Sequence, residues 1–478
     1  MNALTGNVIN GSVRPSKSGS TQPNLEPATG AVLSDVAVSG AADVEAAYQA
    51  AAEAQRAWAL LDAGSRRRRI QAWADAIRAE LEELALLEAR DSGIPLRTMR
   101  AGIAKGADYA DYYAAVELTG DTIPASATNL HYTVLQPFGV VGIILPFNHP
   151  GFFAISKAAP ALAAGNCVVV KPAEQTPMTS QRIAELATGT LGPGVFNVIQ
   201  GGAATGDLLV RHPDIWRLHF TGSVETGLAI QAAAAQSGRI KRLTFELGGK
   251  NPLIVYPDVD PQAAADAAFV GMNFTRNQGQ SCGSTSRLFV HRSLQGAVRD
   301  AVADRLKAVR LGLPEDPQTE MGPLISRRQQ ERVLNYVRSG VSQGARLVVG
   351  GDAPQGELAT GSYVEPTLFD AVSPEMVIAR EEIFGPVLSV IPWDDEEQML
   401  GAVDDSDFGL AAAIYTHDIS RALRAAHRVR AGFVWINGVE TRWPAVPFGG
   451  WRNSGIGTEH SAEEVYSYAQ VKAVNVVV

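Results

Sequence analysis

From residue 140 to residue 247 the chain repeats one unit, a short apolar run rich in β-branched residues followed by a stretch with helical spacing. Apolar runs at 140–145, 167–171, 195–199, 216–220 and 243–247 are interleaved with helical patterns over 151–163, 179–191, 203–211 and 223–235. Short strands that are apolar throughout, each followed by a helix, predict a parallel sheet with helices on both faces. A second series starts near Pro252, with strands at 253–256, 287–291 and 434–437 and helices at 261–275 and 294–309. The expected fold class is α/β, two doubly wound parallel-sheet domains in tandem, with Glu246 and Cys282 near their junction. Clefts between domains are where active sites collect.

Outside these series the pattern differs. Residues 1–100 read as helices, over 43–61 and 65–91, with Ser65 as the N-cap of the second, Gly93 just past its end and Pro95 beyond. Residues 132–136, set off by Pro124 and Pro137, suit a protruding hairpin. The tail, 465–478, ends in alternating Val and Ala. An unpaired apolar edge is a liability, so this strand is expected to pair with the hairpin and with a second subunit, a small β oligomerisation arm.

Composition narrows the class. A chain of 478 residues with 46% hydrophobic and 19% charged residues is an ordinary globular protein too long for one core. Two cysteines cannot build a disulfide framework at this length, which points to a free thiol in a reducing compartment. Residues 1–19 show no targeting pattern, so a cytoplasmic location is expected. The most apolar region, 140–170, is interrupted by Pro146, Pro150, Lys157, Pro160 and Gly165, which argues against a membrane span. The net charge of −9 comes without a sustained basic face; the Arg66–Arg69 run reads as a solvated helix start, and no nucleic-acid partner is expected.

Cys282 lies in Asn277-Gln278-Gly279-Gln280-Ser281-Cys282-Gly283-Ser284, with almost no apolar side chains to pack it. It reads as a nucleophile on an accessible loop, whereas Cys167, inside an apolar strand, reads as a packing residue. Glu246, in Thr244-Phe245-Glu246-Leu247-Gly248-Gly249-Lys250, offers such a thiol a base. A thiol with a carboxylate suggests covalent catalysis at a carbonyl, although either segment alone has a bland reading. No G-x-G-x-x-G run follows a strand. Instead Phe220-Thr221-Gly222-Ser223-Val224-Glu225-Thr226-Gly227 stands at a strand-to-helix junction, where a phosphate could rest, or Ser223 could be only a cap. Lys171 and Glu174 end the 167–171 strand at the carboxyl edge of the sheet, as ligands for a ribose or as a surface ion pair.

Taken together, Pro146-Phe147-Asn148-His149-Pro150, Lys171-Pro172-Ala173-Glu174, the 220–227 segment, Phe245 to Lys250, Gly279-Gln280-Ser281-Cys282, Glu382-Ile383-Phe384-Gly385-Pro386-Val387 and Pro447-Phe448-Gly449-Gly450 resemble, in order and rough spacing, the aldehyde dehydrogenase superfamily, over essentially the whole chain. The resemblance implies that Cys282 attacks the aldehyde carbon, that the Asn148 amide and the Cys282 N–H form the oxyanion hole, and that Glu246 activates the water that hydrolyses the thioester. It also implies Lys171 and Glu174 on the adenosine ribose, and Gly222 and Ser223 near the pyrophosphate. Phe220, Gly227, Leu247 and Gly248 would complete the cofactor lining, with Glu382 and Phe384 at the nicotinamide. Glu174 would repel a 2′-phosphate, favouring NAD over a possible NADP. No metal is implied. The chain would divide into a dinucleotide-binding domain (1–115 and 138–247), a catalytic domain (248–458) and bridging strands (116–137 and 459–478). A carboxylate at Glu246 favours hydrolysis over transfer to coenzyme A.

The resemblance lines the substrate pocket with His149, Phe152, Phe153, Ser156, Arg276, Ser281, Gly283 and Trp443. Small residues at Ser156 and Gly283 with apolar Phe153 and Trp443 suggest a medium-sized apolar aldehyde, aromatic or branched and terpenoid. Arg276 suggests the second reading, a semialdehyde held by its far carboxylate. Two other classes stand beside these, a cysteine esterase or thiol hydrolase and a non-catalytic structural protein on the same fold.

Overall fold

The computed structural model describes residues 4–477. Its larger sheet has eight strands, in the spatial order Gly455–Ile456, Arg242–Glu246, Arg217–Thr221, Val140–Ile144, Cys167–Lys171, Phe196–Val198, Asn7–Ile9 and Ser12–Arg14. The five central strands are parallel and the flanking ones antiparallel. Successive strands run outward from Val140–Ile144 on one side and then start again on its other side, so the order reverses beside this strand. Ligands of such sheets bind at that reversal, outside the carboxyl ends of the strands.

A second sheet of seven strands has the order Arg346–Val349, Thr367–Asp370, Val387–Trp393, Arg287–His291, Pro252–Val255, Ala411–Tyr415 and Phe433–Ile436. Neighbouring residues on its strands feed two different cores: Leu253, Val255, Leu288 and Val290 enter one, Ile254, Phe289 and Ile391 the other. Side chains alternate across a strand, so both faces of this sheet are covered, which is why its strands read as continuous apolar runs.

The helices on the first sheet are held by buried carboxyl groups. In the helix Leu81–Ser92, Glu88 accepts a hydrogen bond from the Gly151 N–H at 2.9 Å, and Asp91 accepts one from the Met178 N–H at 3.1 Å. One helix thereby caps the starts of two others, Pro150–Ala163 and Met178–Thr190.

Several sequence expectations need correction. The first forty residues are not helical but carry the short strands Leu4–Thr5, Asn7–Ile9, Ser12–Arg14, Thr21–Leu25 and Val32–Ala37. The helix expected over 65–91 breaks at Glu80 into Ala63–Ala79 and Leu81–Ser92, and its N-cap is Asp62, whose carboxylate accepts from the Ser65 N–H at 2.8 Å. Gly93 ends it in the left-handed conformation, as expected. The helix expected over 261–275 is Pro261–Gly271 followed by the separate turn Phe274–Asn277. The tail strand Ala469–Val477 pairs antiparallel with Asn129–Pro137 along its whole length, and Thr122–Ile123 completes a three-stranded arm. No helix among the described residues is long and apolar enough to cross a membrane.

Candidate active site

Four parallel strands of the first sheet deliver the candidate residues at one edge. Asn148 follows Val140–Ile144, Lys171 ends Cys167–Lys171, Gly222 and Ser223 follow Arg217–Thr221, and Glu246 ends Arg242–Glu246. The Cys282 loop, between Phe274–Asn277 and Arg287–His291, comes from the second half of the chain.

The loop is not accessible in the way its polar composition suggested, for Cys282 is only 8% exposed. Its glycines and amides are consumed internally. Gly279 has φ +69°, and a β-carbon there would strike the Gly385 carbonyl. Asn251 Nδ2 donates to the Cys282 carbonyl at 2.7 Å and to the Ser284 carbonyl at 3.0 Å, while its Oδ1 accepts from the Ala411 N–H. A β-carbon at Gly249 would lie 2.7 Å from the same Cys282 carbonyl. The nucleophile's backbone is thus pinned between Asn251 and the Gly248-Gly249 turn.

Asn148 Nδ2 donates to the Gln280 carbonyl at 2.9 Å, and Asn277 Nδ2 donates to the same oxygen at 3.1 Å. A primary amide has two N–H groups, so one fixes the Asn148 side chain and the other is left for a ligand beside the thiol. Asn277 Nδ2 also meets His149 Nε2 at 3.2 Å, which leaves the His149 proton on Nδ1. Burial first, and then the charges of Arg276, Arg442 and Lys105, hold His149 neutral.

Burial, the charge of Glu246 and a hydrogen bond to Glu246 raise the Cys282 thiol well above its ordinary value, opposed by the Arg442 guanidinium. Glu246 is itself raised to about 7, by burial and by the nearby charge of Glu459, opposed by the thiol's hydrogen bond, Lys157 and Arg442. A buried thiol beside a carboxyl that titrates near neutrality can exchange its proton with it. Behind Glu246 lies a buried ion pair of Lys157 with Glu459. Burial opposes the charge on Glu459, yet Lys157 and His219 hold it below the usual carboxylate range. His219 Nε2 stands 3.3 Å from it and is depressed to about 4 by burial.

A cavity of about 50 Å³ opens on Cys282, walled by Asn148, His149, Phe152, Phe153, Arg276, Ser281 and Gly283 among the expected residues. Ser156 and Trp443 do not reach it: Ser156 is buried elsewhere at 1% exposure, and Trp443 is 51% exposed. Arg276 is paired with Glu440. The wall also holds Lys105, Arg442 and His460.

On the other side of the sheet edge, Lys171 Nζ donates to the carbonyls of Pro172 and Gly201 at 2.7 and 2.8 Å, and burial lowers it to about 8. Ser223 caps the helix Val224–Gln236 through the Thr226 N–H at 3.2 Å. A β-carbon at Gly202 would collide with the Glu174 carboxylate, one at Gly222 with the Phe220 ring, and one at Gly248 with the Glu382 carboxylate. At Gly227 it would press on Leu247 at 3.0 Å. Gly249 N–H donates to Glu382 Oε1 at 2.9 Å; burial raises this carboxyl to about 7 against that bond and the Lys250 charge. Phe384, at φ +58°, packs edge-on against Phe147 with centroids 5.7 Å apart.

Residues 13–474 match the model of the aldehyde dehydrogenase family. The chain belongs to the aldehyde dehydrogenase family. Its relatives of known structure include an aldehyde dehydrogenase from Bacillus cereus solved as an NAD+ complex, 39% identical over 99% of this chain and 96% of that one, with a TM-score of 0.95. An indole-3-acetaldehyde dehydrogenase from P. syringae, solved as a mutant with NAD+ and IAA, is 36% identical over 100% and 97%, TM-score 0.95. The betaine aldehyde dehydrogenase of Staphylococcus aureus, in complex with NAD+, is 34% identical over 99% and 95%, TM-score 0.95. Two of these relatives are named for different aldehydes, so family membership leaves the aldehyde open.

Within this aldehyde dehydrogenase, sequence reasoning missed Asn251, Arg442, Lys105 and the Lys157–Glu459 pair. Lys157 carried a signal, being the one charge in the otherwise apolar helix Pro150–Ala163. Arg442, in a segment without periodicity, carried none.

Proposed function

We propose that this chain oxidises an aldehyde to its carboxylic acid with NAD+, through a thioester on Cys282 that Glu246 resolves by hydrolysis. The observation that carries this reading is the buried thiol of Cys282 within electrostatic reach of Glu246, a buried carboxyl raised to about 7. Glu246 takes the thiol proton, and Sγ adds to the carbonyl carbon. Negative charge develops on the former carbonyl oxygen, where the free Asn148 N–H and the Cys282 N–H are the fixed donors at hand. Donors rather than an acid suit this step, because a protonated oxygen could not expel hydride. Glu246 then loses the thiol proton to solvent, water attacks the acyl group left on Sγ, Glu246 accepts the water's proton and returns it to the departing thiolate, and the acid and the free thiol are released. The charge of the nearby Glu459 supports this role, because it helps keep Glu246 raised to about 7.

The bare backbone at Gly202, Gly222 and Gly248, with carboxylates of Glu174 and Glu382 facing it, fits a dinucleotide with two ribose diols. NAD+, when bound there, supplies the hydride acceptor. Lys171, Glu174, Phe220, Ser223, Gly227, Leu247 and Phe384 would hold it, and Glu174 disfavours a 2′-phosphate. The NAD+ complexes of the relatives support the same choice. The exposed valines Val471 and Val477 on the terminal arm support association with a second copy, and a free thiol suits the cytoplasm.

Of the two substrate readings, the apolar one rested on Ser156, Gly283, Phe153 and Trp443. Only Gly283 and Phe153 reach the cavity, and the space over Gly283 is taken by Arg442. The wall favours the acid-bearing aldehyde. The reaction is tested by following NADH at 340 nm: turnover is expected with NAD+ above NADP+ in kcat/KM and unchanged by coenzyme A. Acceleration by coenzyme A with trapping of the acyl product would overturn the hydrolytic step.

A further inference from the structure

Three cations converge on the cavity over Cys282, and they are not equivalent. Arg276 has the carboxylate of Glu440. Arg442 lies with its guanidinium carbon 3.7 Å above the Phe448 ring, and its Nη2 is 4.0 Å from Cys282 Sγ. Lys105 Nζ donates to the Arg442 carbonyl at 3.2 Å. Among the described residues neither Arg442 nor Lys105 forms a salt bridge to a carboxylate, and both stand beside the aromatic side chains of Phe152 and Phe153. Both are partly exposed, so water carries their charge while the cavity is open, and a ligand carboxylate that displaces this water would give them a counter-ion.

Gly283 shows that the position of Arg442 is built in. A β-carbon at residue 283 would stand 2.6 Å from Arg442 Nη2, so the missing side chain next to the nucleophile makes the room that the guanidinium occupies. The cavity that remains, about 50 Å³, is far below the roughly 300–1,000 Å³ of pockets for drug-sized ligands.

Resting on the aldehyde oxidation proposed above, we propose that the substrate is a short aldehyde bearing a carboxylate, and that Arg442, seconded by Lys105, receives that carboxylate. The guanidinium offers a planar fork that matches a carboxylate, while its stem and ring contact keep it aimed at the reacting carbon. Arg276, already neutralised by Glu440, is not the anchor. Phe152 and Phe153 line the few carbons between the two ends.

The test compares charge on matched small molecules. Wild-type enzyme should show a kcat/KM for 4-oxobutanoate roughly 100-fold above that for butanal, in line with a desolvated charge pair. Arg442→Met, which keeps an apolar stem, should bring that ratio close to one, as should Gly283→Ala, which displaces the guanidinium without altering net charge. Arg442 also faces the thiol, so a general loss of nucleophilicity must be separated from lost recognition. Alkylation of Cys282 by iodoacetate and by iodoacetamide does this, because thiol reactivity cancels in the ratio of the two rates. Relative to free glutathione, the wild-type ratio should favour iodoacetate by about 10-fold or more, and both variants should lose that preference. A wild-type preference for butanal, or ratios that neither variant moves, would overturn the proposal. If no aldehyde yields NADH while iodoacetate is still preferred, the oxidation reading fails and the anion site stands.

Discussion

At the scale of single residues, the site depends on where hydrogen bonds leave a donor free. Asn148 uses one N–H on Gln280 and keeps the other, so Asn148→Ala should lower kcat by about 100- to 1,000-fold, the usual cost of one oxyanion donor, with little change in the thermal midpoint. Glu246 acts as a base only without its proton. Since burial and Glu459 raise it to about 7, kcat/KM for the aldehyde should rise as pH rises through about 7. A profile flat across that range would contradict its role. Cys282, Glu246 and Asn148 were singled out in the sequence only by the motifs taken together: the first two segments each have a bland reading alone, and Asn148 came with the family resemblance. The burial of Cys282 was not, because Asn251, which pins its carbonyl, reaches it only through the fold.

Among the elements, the strands of residues 140–247 were legible because both their faces are buried and nothing polar interrupts them. The strands of the first forty residues were not; Thr-Gln-Pro-Asn-Leu at Thr21–Leu25 has no period and is a strand only because Val32–Ala37 pairs with it. The break at Glu80 has a tertiary cause as well, since its carboxylate is turned to Arg182 at 2.7 Å. Helix Leu81–Ser92 holds the Asn148 side of the site through Glu88. Burial raises this carboxyl from 4.5 to about 8, so the folded state binds its proton more tightly than the unfolded chain does. Its contribution to stability is complete below 4.5 and is lost as pH rises through about 8. Glu88→Gln should therefore flatten the fall in thermal midpoint over that window. Glu88→Ala should lower the midpoint throughout, by leaving the Gly151 N–H unpaired at a cost of about 1–3 kcal/mol.

For the whole molecule, the proposed reaction draws half of its chemistry from each of two sheets. Glu246 ends a strand of the first, Cys282 precedes a strand of the second, and Gly248-Gly249 joins them while touching Glu382 on one side and the Cys282 carbonyl on the other. Tandem parallel sheets were readable from the strand–helix alternation. The strand Gly455–Ile456, which returns from the second half of the chain to the edge of the first sheet, was not, because two residues carry no pattern. The account stands or falls on the division of labour across that junction. Glu246→Gln, mixed with NAD+ and a turned-over aldehyde, lacks the base for both halves, so it should form its first NADH more slowly than wild type, stop at one per active site, and leave the acyl group on Cys282 in intact-mass and peptide analysis. Sustained turnover by this variant, or an acyl group anywhere but Cys282, would contradict it.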